Sequence, residues 1–371
     1  MKKWKLLAYR AALACLPQAT QPYAESGAVS PGTQALLRAH HAVGAAVAVF
    51  DRTGVIGQCA YGLAASDHPV TADTAFRAAS VSKHITAMAA WRLHEAGEID
   101  LDADVDPFLP CSLRHPQAPD VPITLRRLLS HTAGIHDGRD YAAACQDHRP
   151  LPALMAGDSH TAVFGGFAYS NLGAGIVACV LEGMLGRSFE AIVQDTLLSP
   201  LGVTASFIPQ KITAPLANSY RVLPPANAPA LDAQARHDQP LPPDAPDPAQ
   251  HYLLAQGNLY ISAPELAKLG VELLRDRYAP MRHKVVPFGA RDPQLWEGLG
   301  TFIVDPAICG RVVYGHQGLA YGAMHGLFYD PQAGRGVALL TSGCSEARAH
   351  VLSDINKAII RQVFTWNGSL K

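Results

Sequence analysis

Phe76-Arg77-Ala78-Ala79-Ser80-Val81-Ser82-Lys83 is the stretch on which the reading of this chain turns. Ile85, Met88, Ala89 and Leu93 follow at helical spacing and Gly97 stops the run, so a helix over 81–96 begins just after Ser80. Serine and lysine three apart at a helix start lie on one face, with about 5–6 Å between their Cβ atoms. A serine hydroxyl is a weak nucleophile until a neighbour takes its proton. A lysine can take that proton only when neutral, which burial or nearby positive charge brings about. The free N–H groups and partial positive charge of the helix N-terminus suit a developing oxyanion. Alone, an S-x-x-K spacing is more often an ordinary helix start.

Two further stretches change that weighting. Tyr169-Ser170-Asn171 stands just before a second helical run. A phenol beside a lysine can share protons with a serine, and an asparagine amide can hold both the lysine and a substrate amide. His316-Gln317-Gly318, followed by Leu319, stands at the end of an expected strand. A strand edge can pair with an extended substrate and offer a main-chain N–H as a second oxyanion donor. Gly318 lets the backbone come close to a bound acyl group.

In order and separation the three stretches resemble the penicillin-binding protein and class C β-lactamase family, a group of serine hydrolases related to peptidase family S12. Leu128-Leu129-Ser130-His131-Thr132-Ala133-Gly134-Ile135 is similar to a further segment of that family, as is Gln256-Gly257-Asn258-Leu259-Tyr260-Ile261-Ser262-Ala263-Pro264. The likeness runs over roughly 35–365. It implies that Ser80 is acylated, with Lys83 and Tyr169 as its acid/base pair. Asn171 then binds the substrate amide, and His316, Gln317, Gly318 and Leu319 complete the substrate site. His316 takes the place of the family's usual lysine, and the N–H groups of Ser80 and Leu319 form the oxyanion hole. Gln317 departs from the usual threonine, whose hydroxyl helps bind a substrate carboxylate. The position is therefore expected to weaken β-lactamase or carboxypeptidase action and to leave other peptides, amides and esters open. A non-catalytic or slowly turning over acyl-sensing domain is the competing reading.

Outward from these motifs, 43–50 reads as a buried strand, Asp51-Arg52-Thr53-Gly54 as a turn, and 55–61 as the returning strand. Between 98 and 200 the pattern is helical: a short helix at 123–129 capped by Thr124, one at 172–185 closed by Gly186, and one capped by Ser188. Ten prolines between 209 and 250 mark a long surface loop, with a lid over the site as an alternative reading of it. A helix over 264–277 follows, then strands at 299–304, 311–315, 323–329 and 336–341, and a last helix over 346–364. The fold class is α+β: an antiparallel sheet built from both chain ends, flanked by helices, with an inserted helical subdomain, as in the β-lactamase/transpeptidase fold. Residues 31–371 form that hydrolase domain.

The first thirty residues read as a tail or signal-like segment. Met1-Lys2-Lys3-Trp4-Lys5 precedes an apolar run that Arg10 interrupts, and Ala12-Leu13-Ala14-Cys15 faintly resembles a lipoprotein box. Export with weak association to the cell envelope is the expectation. With 30 basic against 31 acidic residues and no basic block, the chain offers nucleic acid no electrostatic footprint. The partner expected is a small-molecule or peptide substrate. Seven cysteines form no C-x-x-C pair, and no cofactor or metal is implied. Cys111 and Cys145 flank one loop-rich stretch and are candidates for a disulfide. His94-Glu95 lacks the second histidine of a zinc protease, and no G-x-S-x-G occurs. His131 and His136 read as structural, and His84 is given no role. Gly173-Ala174-Gly175-Ile176-Val177-Ala178 imitates a dinucleotide fingerprint, but small residues for close helix packing explain it better.

Overall fold

Apolar residues without a polar alternate, as at 43–50, belong to a strand covered on both faces. A computed structural model describes residues 3–15, 21–223, 226–234 and 244–366, and in it this stretch is a central strand of nine. The strands are β1 (Tyr23–Gly27), β2 (Gly44–Asp51), β3 (Gly54–Gly62), β4 (Val286–Pro287), β5 (Leu295–Glu297), β6 (Phe302–Val304), β7 (Val313–Ala320), β8 (Ala323–Asp330) and β9 (Arg335–Gly343). Their spatial order is β1-β3-β2-β9-β8-β7-β6-β5-β4, every ladder antiparallel. The N-terminal and C-terminal strands meet at β2 and β9, where Val47 lies opposite Leu339. The expected sheet from both chain ends is therefore present.

The two faces of β2 feed two cores, as the period of two requires. Ala46, Ala48 and Phe50 join a large core with α1 (Val81–Glu95), α2 (Asn171–Leu185) and α3 (Ala263–Leu273). Ala45, Val47 and Val49 face the helix Thr33–Ala39 and α4 (Asp354–Thr365). The inserted helices lie on the α1 side. Thr124 caps Leu125–Leu129 by accepting from Arg127 N at 3.2 Å, and Gly186 ends α2 at φ 62°. Ser188 caps Phe189–Val193, which continues as a π turn over Gln194–Leu198.

Four differences from the sequence expectations have physical causes. The last helix starts at Asp354 rather than 346, because Ser353 is its cap and Asp292 Oδ2 holds the preceding Leu352 N. β7 runs on to Ala320, so the His316-Gln317-Gly318 motif lies inside the strand. Pairing with β8 from Tyr314 to Ala320 overrides the low strand propensity of Gly315 and Gly318. The edge strands β1 and β4, and β5 beside β4, are short strands that no alternation announces. Cys111 and Cys145 are not joined by a disulfide, and Cys145 is buried in the core.

Of the proline-rich stretch, Tyr220–Leu223 and Ala226–Pro229 form a hairpin, while 224–225 and 235–243 lie outside the described residues. Within the first thirty residues, Lys3–Ala14 is a helix docked on the body. Leu6 and Leu13 are buried, Tyr9 donates to Val222 O at 2.9 Å and Arg10 pairs with Asp354.

The glycines of α2 serve close packing. A Cβ on Gly175 would sit 2.0 Å from the Tyr252 carbonyl oxygen, an atom of main chain that cannot swing aside. Gly175→Ala should therefore destabilise the protein by about 1–3 kcal/mol, read as a lower urea midpoint at unchanged slope.

Candidate active site

The turn that carries Ser80 is tight because its ends are pinned. Ala78 N donates to Leu259 O at 2.7 Å, and Leu259 N donates to Ser82 Oγ at 3.0 Å. Between these bonds Ala79 takes φ 48°, a left-handed conformation uncommon for a residue with a Cβ. The turn leaves Ser80 half-buried at the cap of α1, one residue before the helix proper. The Gln256-Gly257-Asn258 segment thus belongs to the site as its inner wall, with Arg77 Nε donating to Asn258 Oδ1 at 3.1 Å.

Lys83, one helical turn on, is buried and donates to three acceptors from three parts of the chain: Ser80 Oγ at 3.0 Å, Asn171 Oδ1 at 2.8 Å and Gln256 O at 2.5 Å. Burial pushes the amine down to about 7, the Asp137 carboxylate opposes that shift, and the Arg77 guanidinium adds to it. At neutral pH the amine is thus free to accept a proton in a substantial fraction of molecules. The serine oxygen lies within reach of it, the geometry general-base activation requires.

Tyr169 stands on the other side of Ser80. Burial raises its phenol, and interaction with the Ser80 hydroxyl pulls the other way. The Lys83 Nζ lies 5.3 Å from the centre of its ring. His131 fixes this segment: its ring packs 4.4 Å from that of Tyr169, its Nδ1 accepts from Ser170 N at 3.2 Å, and its carbonyl accepts from Ala168 N at 3.0 Å. Burial drives the imidazole down to about 3, so it stays neutral and structural, as expected. His136 bonds the His160 carbonyl at 2.9 Å, also away from Ser80.

β7 closes the other side. β6 pairs with it only from Val313 to Gly315, so the strand passes the nucleophile turn beyond its last partner on that edge. A Cβ on Gly318 would lie 2.3 Å from Ala78 O, so only glycine allows the strand to come this close. Leu319 follows, half-buried, one residue past this contact. His316 is fully buried, its ring 4.0 Å from Phe302 and 6.3 Å from Tyr169. Burial and the Lys83 charge hold it well below the usual histidine range. It is neutral, unlike the lysine it replaces in the family pattern.

Gln317 does not face the site. Its Nε2 donates to Val351 O at 2.6 Å, while its Oε1 accepts from Ser353 N at 3.0 Å and Asn356 Nδ2 at 3.2 Å. Alternation along β7 sends this side chain to the α4 face, where it fastens the helix start. The expectation that Gln317 binds substrate is corrected accordingly.

Sequence reading missed Asp137. Its Oδ2 accepts from Asn171 Nδ2 at 2.7 Å, and its Oδ1 accepts from Leu172 N at 2.8 Å and Ser170 Oγ at 3.1 Å. It therefore orients the asparagine that holds Lys83. The signal was an acidic residue two positions past the Leu128–Ile135 segment, which no spacing rule singles out. The Gln256 carbonyl was equally hidden, since main-chain groups carry no sequence mark. His84 points away, with Nδ1 2.7 Å from Gly300 O.

The sequence profile of the family described as Beta-lactamase matches residues 29–360. Over 190 residues the chain is 31% identical to Penicillin-binding protein 4 of Amycolatopsis lactamdurans, covering 46% of this chain and 46% of that protein. Over 187 residues it is 32% identical to Esterase EstB of Burkholderia gladioli, covering 45% and 47%. The chain thus spans about half the length of these curated relatives. Among solved structures it is similar in fold to EstCE1, a hydrolase with promiscuous acyltransferase activity, at TM-score 0.69 and 23% identity over 90% of this chain and 96% of that one.

Asp137→Asn removes the charge that favours the Lys83 ammonium. The acid limb of the acylation rate should therefore move to lower pH by about one unit, measured by serine-directed labelling across pH.

Proposed function

The chain belongs to the beta-lactamase family, whose relatives support a serine-hydrolase chemistry through an acyl-enzyme, and from that premise we propose how this site carries it out. Ser80 attacks the carbonyl while its proton passes to the neutral Lys83. Tyr169, which keeps its own proton at neutral pH, relays a proton to the leaving group and is refilled from Lys83. Asn171 holds Lys83 and offers its amide to the substrate. The N–H groups of Ser80 and Leu319 receive the oxyanion. Water then attacks the acyl-enzyme with Lys83 as base, and Ser80 is released. The observation that carries this reading is the 3.0 Å contact between Lys83 Nζ and Ser80 Oγ in a buried setting that leaves the amine able to be neutral.

The substrate class follows from what the site lacks at its third motif. His316 is neutral and Gln317 is committed to α4, so neither supplies a cation or hydroxyl for a substrate carboxylate. Tyr169 and the buried ring of Phe302 pack beside the imidazole and keep its surroundings apolar. We infer a preference for esters or amides of uncharged acyl groups over substrates that carry a carboxylate next to the scissile bond.

Labelling with a fluorescent fluorophosphonate should mark the wild-type protein and leave Ser80→Ala unmarked; equal labelling of both removes the nucleophile assignment. Lys83→Ala should slow acylation by about 10²–10⁴-fold. The wild-type rate should rise through pH of about 7, because the reactive form is the deprotonated amine and activity is lost as pH falls through that value. In turnover assays a neutral ester should be hydrolysed faster than a D-Ala-D-Ala peptide, and the reverse ranking would overturn the substrate class. Labelling without turnover of any ester or amide would favour the slowly deacylating, acyl-sensing reading.

A further inference from the structure

Behind Lys83 lie three buried polar groups that the chemistry above does not use. Glu297, at the end of β5, has no solvent exposure, and neither carboxyl oxygen meets a hydrogen-bond partner. Nε2 of His84 and Nε2 of His316 are likewise buried and unpartnered. In each ring the other nitrogen lies against a main-chain carbonyl: His84 Nδ1 is 2.7 Å from Gly300 O and His316 Nδ1 is 2.6 Å from Gln317 O. A carbonyl only accepts, so Nδ1 carries the proton in both rings and Nε2 is a bare acceptor.

A carboxylate that is buried and unpaired is far costlier than the protonated acid. Burial accordingly pushes the Glu297 carboxyl well above its usual range, and the Thr301 main chain and the Lys83 charge offset this only in part. The three groups thus comprise one acidic O–H donor and two bare acceptors.

One loop connects them. Gly298-Leu299-Gly300-Thr301 joins β5 to β6, running from Glu297 to its cross-strand partner Phe302. His84 holds the Gly300 carbonyl of this loop, and Phe302 packs 4.0 Å from His316. At Gly300 the loop lies against α1, where a Cβ would sit 2.6 Å from Ala87 Cβ and 3.5 Å from Lys83 O. The Lys83 charge is felt at both Glu297 and His316.

We propose that Glu297 is a positioning residue whose carboxylic O–H, through one bridging water, satisfies the bare Nε2 of His316 behind Lys83, and that this neutral pair leaves Lys83 without a second counter-ion. The inference rests on the reading of Ser80 and Lys83 as the acylation pair. Lys83 is faced by Asp137 from the inserted helical region, by Arg77 from the strand before the nucleophile turn, by Glu297 from β5, and by the neutral rings of His131, His316 and Tyr169. Asp137 already favours the ammonium. A second carboxylate would hold Lys83 protonated and unable to take the serine proton. Among the described residues no three histidine, cysteine or acidic side chains converge as a metal-binding group, so a shared proton accounts for these atoms where a cation does not.

The full-length protein tests this with Glu297→Gln and Glu297→Leu, followed by acylation rates from about pH 5 to 9, by kcat and KM on one ester, and by long-range ¹H–¹⁵N spectra of the histidines. Glutamine keeps a neutral donor, whereas leucine keeps the volume without one. E297L should lower kcat about tenfold with KM nearly unchanged, the effect expected of one unsatisfied buried group near the reacting atoms. E297Q should recover kcat to within about threefold of wild type, its acid limb in place. A wild-type rate in E297L, or a glutamine variant no better than leucine, overturns the proposal. So does an acid limb displaced to lower pH in E297Q, because that would reveal a charge at Glu297. If E297L does not fold, the E297Q profile and a hydrogen-bonded His316 Nε2 signal decide alone. Failure of the wild type to be labelled at Ser80 would instead remove the acylation reading, leaving the Nε2 signal to judge the pair.

Discussion

One buried amine holds this site together. Lys83 Nζ reaches Ser80 at the cap of its own helix, Asn171 at the start of α2 and the Gln256 carbonyl 173 residues downstream. Three acceptors compensate part of the cost of taking a cation out of water, and none of them is a charge in direct contact. The amine is therefore anchored without being locked in its protonated form. Much of the surrounding geometry follows from that convergence. The left-handed Ala79, the docking of Leu259 on the nucleophile turn and the glycine at 318 all let main chain approach within a few ångströms of the amine and its serine.

Burial sets the electrostatics more than pairing does. Lys83, His131, His84 and His316 are all pushed toward their uncharged forms by desolvation, and Tyr169 is held as a phenol by the same cause. Asp137 is the carboxylate within hydrogen-bonding reach of this set, and it acts through Asn171. On the proposed mechanism, a site of neutral donors and acceptors would pass protons along hydrogen bonds at small energetic cost, because no step would separate charge far in a medium of low dielectric. The sheet supplies the rigid wall for this arrangement. The helical insertion supplies the Tyr169–Asn171 segment and the aspartate that aligns it.

The third motif illustrates how a strand divides its labour. Along β7, His316 and Gly318 turn toward α1 and the nucleophile, while Gln317 between them turns toward α4. One residue type at 317 fixes the start of the last helix, and a substrate contact there is given up. Relatives that share this family include a penicillin-binding protein and an esterase.

Local chemistry along the chain determined a good deal. The period of apolar residues after Ser80 fixed α1. The caps Thr124 and Ser188 fixed helix starts, and the uninterrupted apolar run at 43–50 fixed a strand covered on both sides. Helix geometry put Ser80 and Lys83 on one face, but these two with Tyr169 and Asn171 were legible as a site only through the order and separation of the three motifs, which resemble those of a known family. Tertiary structure alone decided the rest. Which face Gln317 takes, how far β7 extends, that Asp137 and the Gln256 carbonyl reach the amine, and that Glu297 is sealed away all depend on neighbours tens to hundreds of residues distant. The same holds for the charge states, since the proton affinity of Lys83 comes from desolvation by packed neighbours, and no window of sequence contains them.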